Sequence, residues 1–597
     1  MNKSQPQGDS REVRATDTVS TTIVRRLIIE RFRGLANFSW NPAHGLNVVI
    51  GGGDVGKTTI LDALGMLFSA SSNLSLTESD YWERKAELGF AIKAVVSLPP
   101  ESGISQQSKF SWPWDWNGID AALPEKGGMA TAPQKPVYRI QLKGTPEFEP
   151  IWEIHQPNEE FDSFPASVRK SIGTVRLGGD DRNDRDLRLV YGSALDRLLA
   201  DKAIRSRLGK ELGRVNLHEA LQPEAKQALA ALDKAFSKAS LPEGLRLGLS
   251  GSQGVSLGAL TGLFANKSTE VSLPLSSWGS GTRRMAALEI ARASEANSRI
   301  TVIDEAERGL EPYRLRKLIR ALEDSGGQSF VTTHSPVALG ATEKATIWYF
   351  DGQQSPGLLD HEKLDVHAEI DPEAFLSRFP IICEGITEVG FLGALLKVCA
   401  KSYIDHGVHL SDAGGNGKTL DISEALTKAG VRAGAFADNE GTSLGKWTAL
   451  KTEMGDRLFQ WQEGCLESNI IELLSDEQIP AFIKHADRHV EGQRYATLRD
   501  RLRCEDKDLA SLEFAAKAAG GDLRDFICAA ATGKTDGAQD GEKREWKSHS
   551  GRWFKNEKGG GELHDKCVAL GLMPNLWPVL RPLINAVRHV MGQPPMS

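Results

Sequence analysis

The chain has 597 residues, with 72 basic and 79 acidic side chains, a net charge of −7 and 40% hydrophobic residues. At roughly 100–200 residues per domain, this length predicts several domains with large cores. The charge balance excludes a generally basic surface, so any nucleic-acid contact must come from local patches. The six cysteines form no CxxC pair, which argues against a zinc site and a disulfide scaffold. No apolar run is long enough to span a bilayer, and we expect a cytoplasmic protein without a membrane partner.

In chain order, residues 1–20 are polar and are predicted to be disordered. Two β-rich runs follow from Thr21, and Leu and Ala recur at helical spacing over 187–242. A strand–turn–helix pattern resumes near residue 271. The stretch 352–374 is typical of a linker, and a second α/β unit is predicted to start at Pro380.

The most specific motif is GGGDVGKT at 51–58, which fits GxxxxGK[ST] between an apolar strand and a helix. In such a loop, backbone N–H groups and the helix N-terminus hold phosphate oxygens, lysine reaches the β- and γ-phosphates, and the threonine hydroxyl holds Mg²⁺. The pattern therefore predicts an ATP site. Its predicted residues are Gly51, Gly53, Asp54, Gly56, Lys57, Thr58 and Thr59.

A second apolar run ends in Asp304 and Glu305. The first carboxylate is predicted to hold the Mg²⁺ shell and the second to polarise the attacking water. Before it, WGSGTRR places Ser280 and Gly281 at the start of a helix, and after it TTHSP places His334 at the end of a strand. These two segments favour the catalytic interpretation over a solvated strand end.

Another set of carboxylates follows the linker. Glu384 and Glu388 occur in EGITE after an apolar strand, and Asp438 and Glu440 occur in ADNEG after another. Residues i and i+2 of an extended segment project to one face, so Asp438 and Glu440 can share an ion. Hard carboxylate oxygens without histidine or thiolate favour Mg²⁺ or Mn²⁺, and two such ions would promote hydrolysis of a phosphodiester.

Two further segments are candidates for the same site. Glu467 in CLESN is predicted either to complete the metal site or to interact with a helix dipole. Lys555 lies in a basic stretch and is the candidate for stabilising the phosphate charge, with Lys558 as the substitute. The run GGNGKT at 414–419 imitates a phosphate loop, but Asp412 stands where the first glycine is required, so no second nucleotide site is expected there.

Together, the motifs around Lys57, Ser280, Asp304 and His334 resemble an ABC-type ATPase head. The opening IIERFRGLANFSW and the long insertion resemble the DNA-maintenance branch of these ATPases. EGITE and ADNEG resemble a TOPRIM domain, although that family commonly has DxD where this chain has Asp-Asn-Glu. An ABC-type head followed by a TOPRIM domain resembles the OLD (overcoming lysogenization defect) family of ATP-dependent endonucleases. This resemblance extends over nearly the whole chain from Thr21 and includes RDLRLVYGSALDRLL, IDEAERGLEP and WFK.

The resemblance implies a homodimer that hydrolyses ATP and nicks or cuts DNA at TOPRIM metals. Higher oligomers and a co-encoded partner in bacterial anti-phage defence fit the same family. In such dimers the signature serine contacts the partner's γ-phosphate, and the choice between Ser277 and Ser280 stays open because the motif departs from LSGGQ.

The resemblance also gives an α/β fold class with predicted domain boundaries. The predicted segments are a disordered N-terminus (1–20), an ABC ATPase N-terminal part (21–186), a helical dimerisation insertion (187–268), an ABC ATPase C-terminal part (269–352), a linker (353–375), a TOPRIM domain (376–490) and a C-terminal helical region that completes the nuclease site (491–597).

The alternative function is an ATP-gated DNA clamp or sensor that lacks nuclease activity or needs a partner for it. A topoisomerase is disfavoured because Tyr403 and Tyr495, the tyrosines beyond residue 350, lie in no context suited to a DNA-linked ester. A primase is disfavoured because no zinc-binding cluster accompanies the second unit.

Overall fold

A computed structural model describes most of the chain. The described residues are 21–71, 74–104, 112–123, 135–172, 174–177, 184–190, 193–199, 218, 221–249, 261–267, 271–293, 300–359 and 361–597. The predicted disorder of 1–20 falls outside them. The chain divides into two compact units: the first contains residues 1–50 and 54–356, and the second contains residues 51–53 and 357–597.

The first unit contains sixteen described strands and seven described α-helices. The strands are β1 (Ile23–Phe32), β2 (Leu35–Trp40), β3 (Leu46–Ile50), β4 (Phe90–Ser97), β5 (Trp114–Trp116), β6 (Ala121–Ala122), β7 (Pro136–Gly144), β8 (Pro150–His155), β9 (Phe161–Ser163), β10 (Val175–Leu177), β11 (Arg246–Leu249), β12 (Thr261–Asn266), β13 (Ser272–Pro274), β14 (Ile300–Ile303), β15 (Gln328–Thr332) and β16 (Thr346–Tyr349). The helices are α1 (Lys57–Leu67), α2 (Ala166–Ile172), α3 (Ala194–Leu199), α4 (Pro223–Lys238), α5 (Ser280–Ala293), α6 (Pro312–Glu323) and α7 (Pro336–Leu339).

Two sheets enclose the core of the first unit. One is antiparallel, with the order β2–β1–β4–β7 at its centre. The other is parallel across β10–β14–β15–β3–β16. β3 and β15 are buried along their whole length, as expected of central parallel strands. The carboxyl ends of β3, β14 and β15 therefore meet at one edge of the sheet, which is where ligands bind in open parallel sheets.

The second unit contains five strands and thirteen α-helices among its described residues. The strands are β17 (Gly357–Leu359), β18 (Phe379–Cys383), β19 (Val408–Asp412), β20 (Gly434–Ala437) and β21 (Leu458–Gln460). The helices are α8 (His361–Ile370), α9 (Glu373–Leu376), α10 (Ile386–Cys399), α11 (Asn416–Lys428), α12 (Leu444–Met454), α13 (Leu466–Glu472), α14 (Ile479–Ile483), α15 (Arg488–Leu502), α16 (Leu509–Ala518), α17 (Leu523–Thr532), α18 (Lys543–Ser548), α19 (Glu557–Ala569) and α20 (Met573–Val590).

A parallel sheet with the order β19–β18–β20–β21 forms the centre of the second unit. β18 and β20 are buried along their whole length. One hydrophobic core extends from these strands to the C-terminal helices, including Phe391 of α10 and Leu563 of α19. The predicted α/β class is therefore confirmed for both units. No helix of the described residues has the length and hydropathy needed to cross a membrane.

The stretch predicted as a linker, 353–375, is folded instead. It contains β17, α8 and the start of α9. α8 is held to β19 because His367 Nε2 and Ser411 Oγ lie 2.8 Å apart, and Ser411 Oγ donates to Asp371 Oδ2 at 2.6 Å. Glycine, proline and charged residues gave this stretch the composition of a linker, whereas the contacts that order it come from a strand about 40 residues further on.

The predicted insertion 187–268 is only partly helical in its described residues. It contains α3 and α4, and also the antiparallel strands β11 and β12. Residues 200–217 of this predicted insertion lie outside the described part of the chain. Its proposed role in dimerisation stays a prediction.

Candidate functional site

The phosphate-loop motif forms the turn between β3 and α1. Asp54 and Gly56 adopt left-handed backbone conformations, with φ of 57° and 103°. A Cβ added at Gly56 would lie 3.1 Å from Leu35 Cδ2, so glycine is required there by both conformation and space. α1 then begins at Lys57, and the dipole of a helix N-terminus favours an anion at this position.

Asp304 lies beside Thr58 and near Lys57, although Thr58 and Asp304 are 246 positions apart in the sequence. Thr58 Oγ1 donates to Asp304 Oδ1 at 3.3 Å, and Thr332 Oγ1 donates to the same oxygen at 2.6 Å. Burial lowers the pKa of Lys57, and the carboxylates of Asp304 and Asp54 oppose that shift. A hydroxyl, a carboxylate and an ammonium group at a helix N-terminus suit a metal-bound triphosphate.

Glu305 follows Asp304 in a left-handed conformation, with φ of 48°. Its N–H donates to Thr332 Oγ1 at 2.9 Å, while its side chain is half-exposed and lies 3.6 Å from Arg308 Nη1. A non-glycine residue in this conformation is strained and persists where its surroundings hold it. The sequence motifs did not predict a role for Thr332. The signal that could have identified it is its position two residues before His334.

His334 is exposed after β15, and its backbone is held by a neighbouring carboxylate. The His334 N–H donates to Glu307 Oε1 at 2.8 Å, and Thr333 Oγ1 donates to Glu307 Oε2 at 2.6 Å. Glu307 was also missed in the sequence, where it resembles a solvated acid. It ties the loop after β14 to the segment that carries His334.

Ser280 is the first residue of α5, and Ser277 lies in the turn before it. Ser277 Oγ donates to the Pro274 carbonyl at 2.7 Å, so this hydroxyl caps its own turn. A Cβ at Gly281 would lie 2.1 Å from the Gly309 carbonyl oxygen. The start of α5 is therefore in close contact with the loop that follows Glu305.

In the second unit, Glu384 and Asp438 end two neighbouring parallel strands. Glu384 Oε2 accepts from the Asp438 N–H at 2.9 Å and from Asn416 Nδ2 at 2.8 Å. Asp438 Oδ1 accepts from the Leu466 N–H at 3.0 Å. One oxygen of each carboxylate is thus held by these protein groups.

Glu388, Glu467 and Lys555 lie beside these two residues. Glu388 is 2% exposed and Glu467 is fully buried. Oε1 of Glu388 and both carboxylate oxygens of Glu467 are buried without a hydrogen bond among the described residues, and Lys555 Nζ lies 3.2 Å from Glu467 Oε1. Buried carboxylates without donors are costly unless a cation compensates them, so their oxygens fit a divalent ion.

The pKa values of the cluster show the same excess of negative charge. Burial, and then the neighbouring carboxylates, raise the pKa of Asp438 to about 9 and of Glu388 to about 7. Burial also raises the pKa of Glu384. Burial opposes the charge of Lys555, but Glu467 and Glu388 raise its pKa above the ordinary value. One lysine near four carboxylates leaves room for added positive charge.

Lys555 reaches this cluster because α10 and α19 are in unusually close contact. A Cβ at Gly560 would lie 2.0 Å from the Thr387 carbonyl oxygen, and one at Gly390 would lie 2.0 Å from the Glu557 carbonyl oxygen. Thr387 Oγ1 also donates to the Phe554 carbonyl at 3.1 Å. The residue before Lys555 is thereby attached to the start of the helix that carries Glu388.

The remaining predicted residues of this site lie at its rim. Glu440 is exposed, and its charge contributes to the raised pKa of Glu384. Lys558 is exposed on the first turn of α19. Asn416 was not predicted as a site residue, because its motif GGNGKT resembles an incomplete phosphate loop.

A different trio is the one group of described residues whose potential metal ligands lie within 4.8 Å of one another: Asp500, Glu545 and His549. Arg501 Nε donates to His549 Nδ1 at 3.1 Å, which places the ring proton on Nε2 and leaves neither nitrogen free to bind a metal. Burial, and then Arg501, lower the pKa of His549 to about 4. The guanidinium group makes this trio unsuitable for a cation.

Comparison with protein families matches residues 142–340 to an AAA domain described as a putative AbiEii toxin of a type IV toxin–antitoxin system. The match indicates an AAA-type ATPase domain in this part of the chain. The matched segment of this ATPase domain includes Ser280, Asp304, Glu305 and His334, and it begins after the phosphate loop. It covers less than half of the chain. No curated protein matches the sequence.

Three solved structures that match part of this chain have TM-scores below 0.5. An Smc head bound to the C-terminal winged-helix domain of ScpA is 14% identical with a TM-score of 0.38, and covers 57% of this chain and 98% of that chain. An Smc head with an extended coiled coil bound to a ScpA domain, derived from Pyrococcus furiosus, is 13% identical with a TM-score of 0.36. This match covers 59% of this chain and 100% of that chain. The recombination mediator RecF with ATP is 13% identical with a TM-score of 0.35. This match covers 57% of this chain and 99% of that chain.

Proposed function

We propose that this protein is an ATP-hydrolysing, divalent-metal-dependent DNA endonuclease. The observation that carries the proposal is the cluster of Glu384, Glu388, Asp438 and Glu467, with Lys555 beside it, at the carboxyl ends of β18 and β20. A cluster of buried carboxylates, with oxygens that accept no hydrogen bond among the described residues, fits Mg²⁺ or Mn²⁺. The same chain carries a phosphate loop and an AAA-type ATPase domain.

At the nucleotide site, each residue has a role that fits its position. Lys57 would neutralise the β- and γ-phosphates, and Thr58 and Asp304 would hold Mg²⁺ between them. Glu305 would orient the attacking water, with His334 beside the γ-phosphate. The contact of Ser280 with a partner's nucleotide follows from the proposed homodimer.

At the carboxylate cluster, Glu384 and Asp438 would hold the ions with the oxygens that are not engaged by Asn416 and Leu466. Glu388 and Glu467 would complete the ligand set. Bound divalent ions would lower the pKa of a water molecule and polarise the phosphodiester. Lys555, protonated throughout the neutral range, would balance the charge that develops on the phosphate. This assignment uses a TOPRIM-type site for DNA hydrolysis.

The proposal also includes the oligomeric state, the cellular location and the biological role. We propose a homodimer, with higher oligomers and a co-encoded partner compatible with the same fold, acting in the cytoplasm in bacterial defence against phage. The description of the matched family as a putative toxin of a type IV toxin–antitoxin system supports a defence role.

The test is incubation of the purified chain with supercoiled plasmid and Mg²⁺ or Mn²⁺, with and without ATP. We expect nicking or cutting that Glu384→Ala abolishes and that the matched exposed control Glu453→Gln retains. Lys57→Ala is expected to abolish ATP hydrolysis and to show how nucleotide controls cleavage.

Cutting that persists in Glu384→Ala would refute the site. Intact ATP hydrolysis without cutting in any condition would replace the nuclease by an ATP-gated DNA clamp or sensor.

A further inference from the structure

Arg284 lies on α5, one turn after Ser280, and its guanidinium group contacts the loop that follows β14. Nη1 donates to the Glu305 carbonyl at 2.8 Å and to the Arg308 carbonyl at 2.9 Å, and Nη2 donates to the Asp304 carbonyl. One side chain thus holds three peptide groups of one loop. Two of them belong to Asp304 and Glu305, whose side chains are assigned to the metal and the attacking water.

This arrangement differs from an ordinary ion pair. The guanidinium group has several donors in a rigid plane, so it can bind three carbonyls at once, whereas lysine has a single ammonium group that cannot reproduce the fork. Burial, and then Arg308, lower the pKa of Arg284. These three hydrogen bonds of the guanidinium group all go to backbone carbonyls of this loop.

The contact between α5 and this loop has a second part. A Cβ at Gly309 would lie 2.1 Å from Ser280 Oγ, just as one at Gly281 would meet the Gly309 carbonyl oxygen. The opposite side of the loop is held by Glu307, which accepts from Thr333 Oγ1 and the His334 N–H. The loop therefore lies between the start of α5 and the segment that carries His334.

We propose that Arg284 is a positioning residue for ATP hydrolysis, which couples the start of α5 to the backbone of Asp304 and Glu305. This inference rests on the proposed ATPase activity and goes beyond it, because it assigns to α5 a role within its own protomer. A displacement of Ser280 would be transmitted through Arg284 to the residue that orients the attacking water. The left-handed conformation of Glu305 is the strained feature that this clamp helps to hold.

The test compares the full-length protein with Arg284→Lys and Arg284→Ala, measuring ATP turnover, equilibrium ATP binding and thermal unfolding. Misplacement of a catalytic group costs up to about a hundredfold in rate, so we expect kcat to fall about ten- to a hundredfold in both variants. ATP affinity and the melting temperature are expected to stay at the wild-type values. Arg316→Lys, at an exposed position of α6, is the matched control and should retain full turnover.

Chemical rescue separates positioning from folding. Guanidinium ion at a concentration that does not unfold the protein should restore turnover to Arg284→Ala and leave Arg284→Lys and Arg316→Lys unchanged. The proposal is overturned if both Arg284 variants keep wild-type turnover, or if turnover falls only in parallel with ATP binding or melting temperature and guanidinium restores nothing. Wild-type protein without ATP hydrolysis would instead refute the proposed ATPase.

Discussion

At the scale of single residues, Asn416 controls how the carboxylate cluster is presented. Its Nδ2 donates to Glu384 Oε2 and to the Asp438 carbonyl at 2.9 Å, while its Oδ1 accepts from Trp447 Nε1 at 3.2 Å. All three contacts are made by a side chain that is 5% exposed. Groups that orient metal-binding residues in this way commonly contribute about 10- to 100-fold in metal affinity.

We therefore expect Asn416→Ala to weaken Mn²⁺ binding by about 10- to 100-fold, because Glu384 loses the donor that fixes one of its oxygens. Isothermal titration of the purified protein with Mn²⁺ measures this affinity. Asn575→Ala, at an exposed position of α20, is the control and should bind Mn²⁺ as the wild type does. Unchanged affinity in Asn416→Ala would show that Glu384 is held without it.

At the scale of elements, the contact between α10 and α19 places Lys555 beside Glu467. Glycines in the interior of a helix ordinarily destabilise it by about 1 kcal/mol each, so three consecutive glycines in α19 need a reason. Gly559 and Gly560 provide one, since a Cβ on either would lie within 2.7 Å of backbone atoms of Phe554 or Thr387. α10 and α19 approach so closely because Gly560 and Gly390 carry no side chain.

Gly560→Ala should accordingly destabilise the protein by about 1–3 kcal/mol, the usual range for overpacking, and separate Lys555 from the carboxylates. Gly561→Ala is the matched control, because a Cβ there would have no closer neighbour than the Gly390 carbonyl oxygen at 3.9 Å. Alanine has a higher helix propensity than glycine, so Gly561→Ala is expected to be as stable as the wild type or more stable. Chemical unfolding of both variants measures the difference, and equal stability of the two would contradict the close-packing argument.

At the scale of the whole molecule, the cluster is predicted to make folding depend on protons and metal ions. The folded-state pKa of Asp438, about 9, lies above the ordinary value of 3.8. The folded protein therefore binds a proton at Asp438 more tightly than the unfolded chain does. The contribution of this group to the stability of the metal-free protein is fully present below pH 4 and is lost as the pH rises toward 9. A metal ion that binds only the folded state acts in the opposite direction.

We expect Asp438→Asn to melt at a higher temperature than the wild type at pH 8 in EDTA. The shift should be about 2–4 °C for each kcal/mol of repulsion removed, and it should disappear near pH 4. Adding Mn²⁺ should reverse the order, because only the wild type retains the full ligand set. Thermal unfolding across this pH range, with and without Mn²⁺, checks both statements, and parallel curves for the two proteins would contradict them.

Parts of the fold and of the candidate sites could be predicted because their determinants are contiguous. A buried strand, a glycine turn and a helix follow one another at residues 46–67, so the phosphate loop is readable from local sequence alone. The carboxylates that directly follow β14, β18 and β20 can also be predicted from local sequence. The α/β class and an ATPase domain predicted from these segments are confirmed, whereas the individual site residues and the nuclease stay predictions.

Local patterns in the sequence identify the candidate residues, because strand ends, glycine turns and helix starts are contiguous in the chain. Which of these candidates meet depends on the folded arrangement. Glu307, Asn416 and Arg284 bind backbone or side-chain groups between 20 and 32 residues away, and no local pattern distinguishes them from solvated polar residues. Lys555 reaches Glu467 only because two helices pack through glycines. Such contacts depend on the spatial arrangement of whole elements, and sequence spacing does not encode that arrangement.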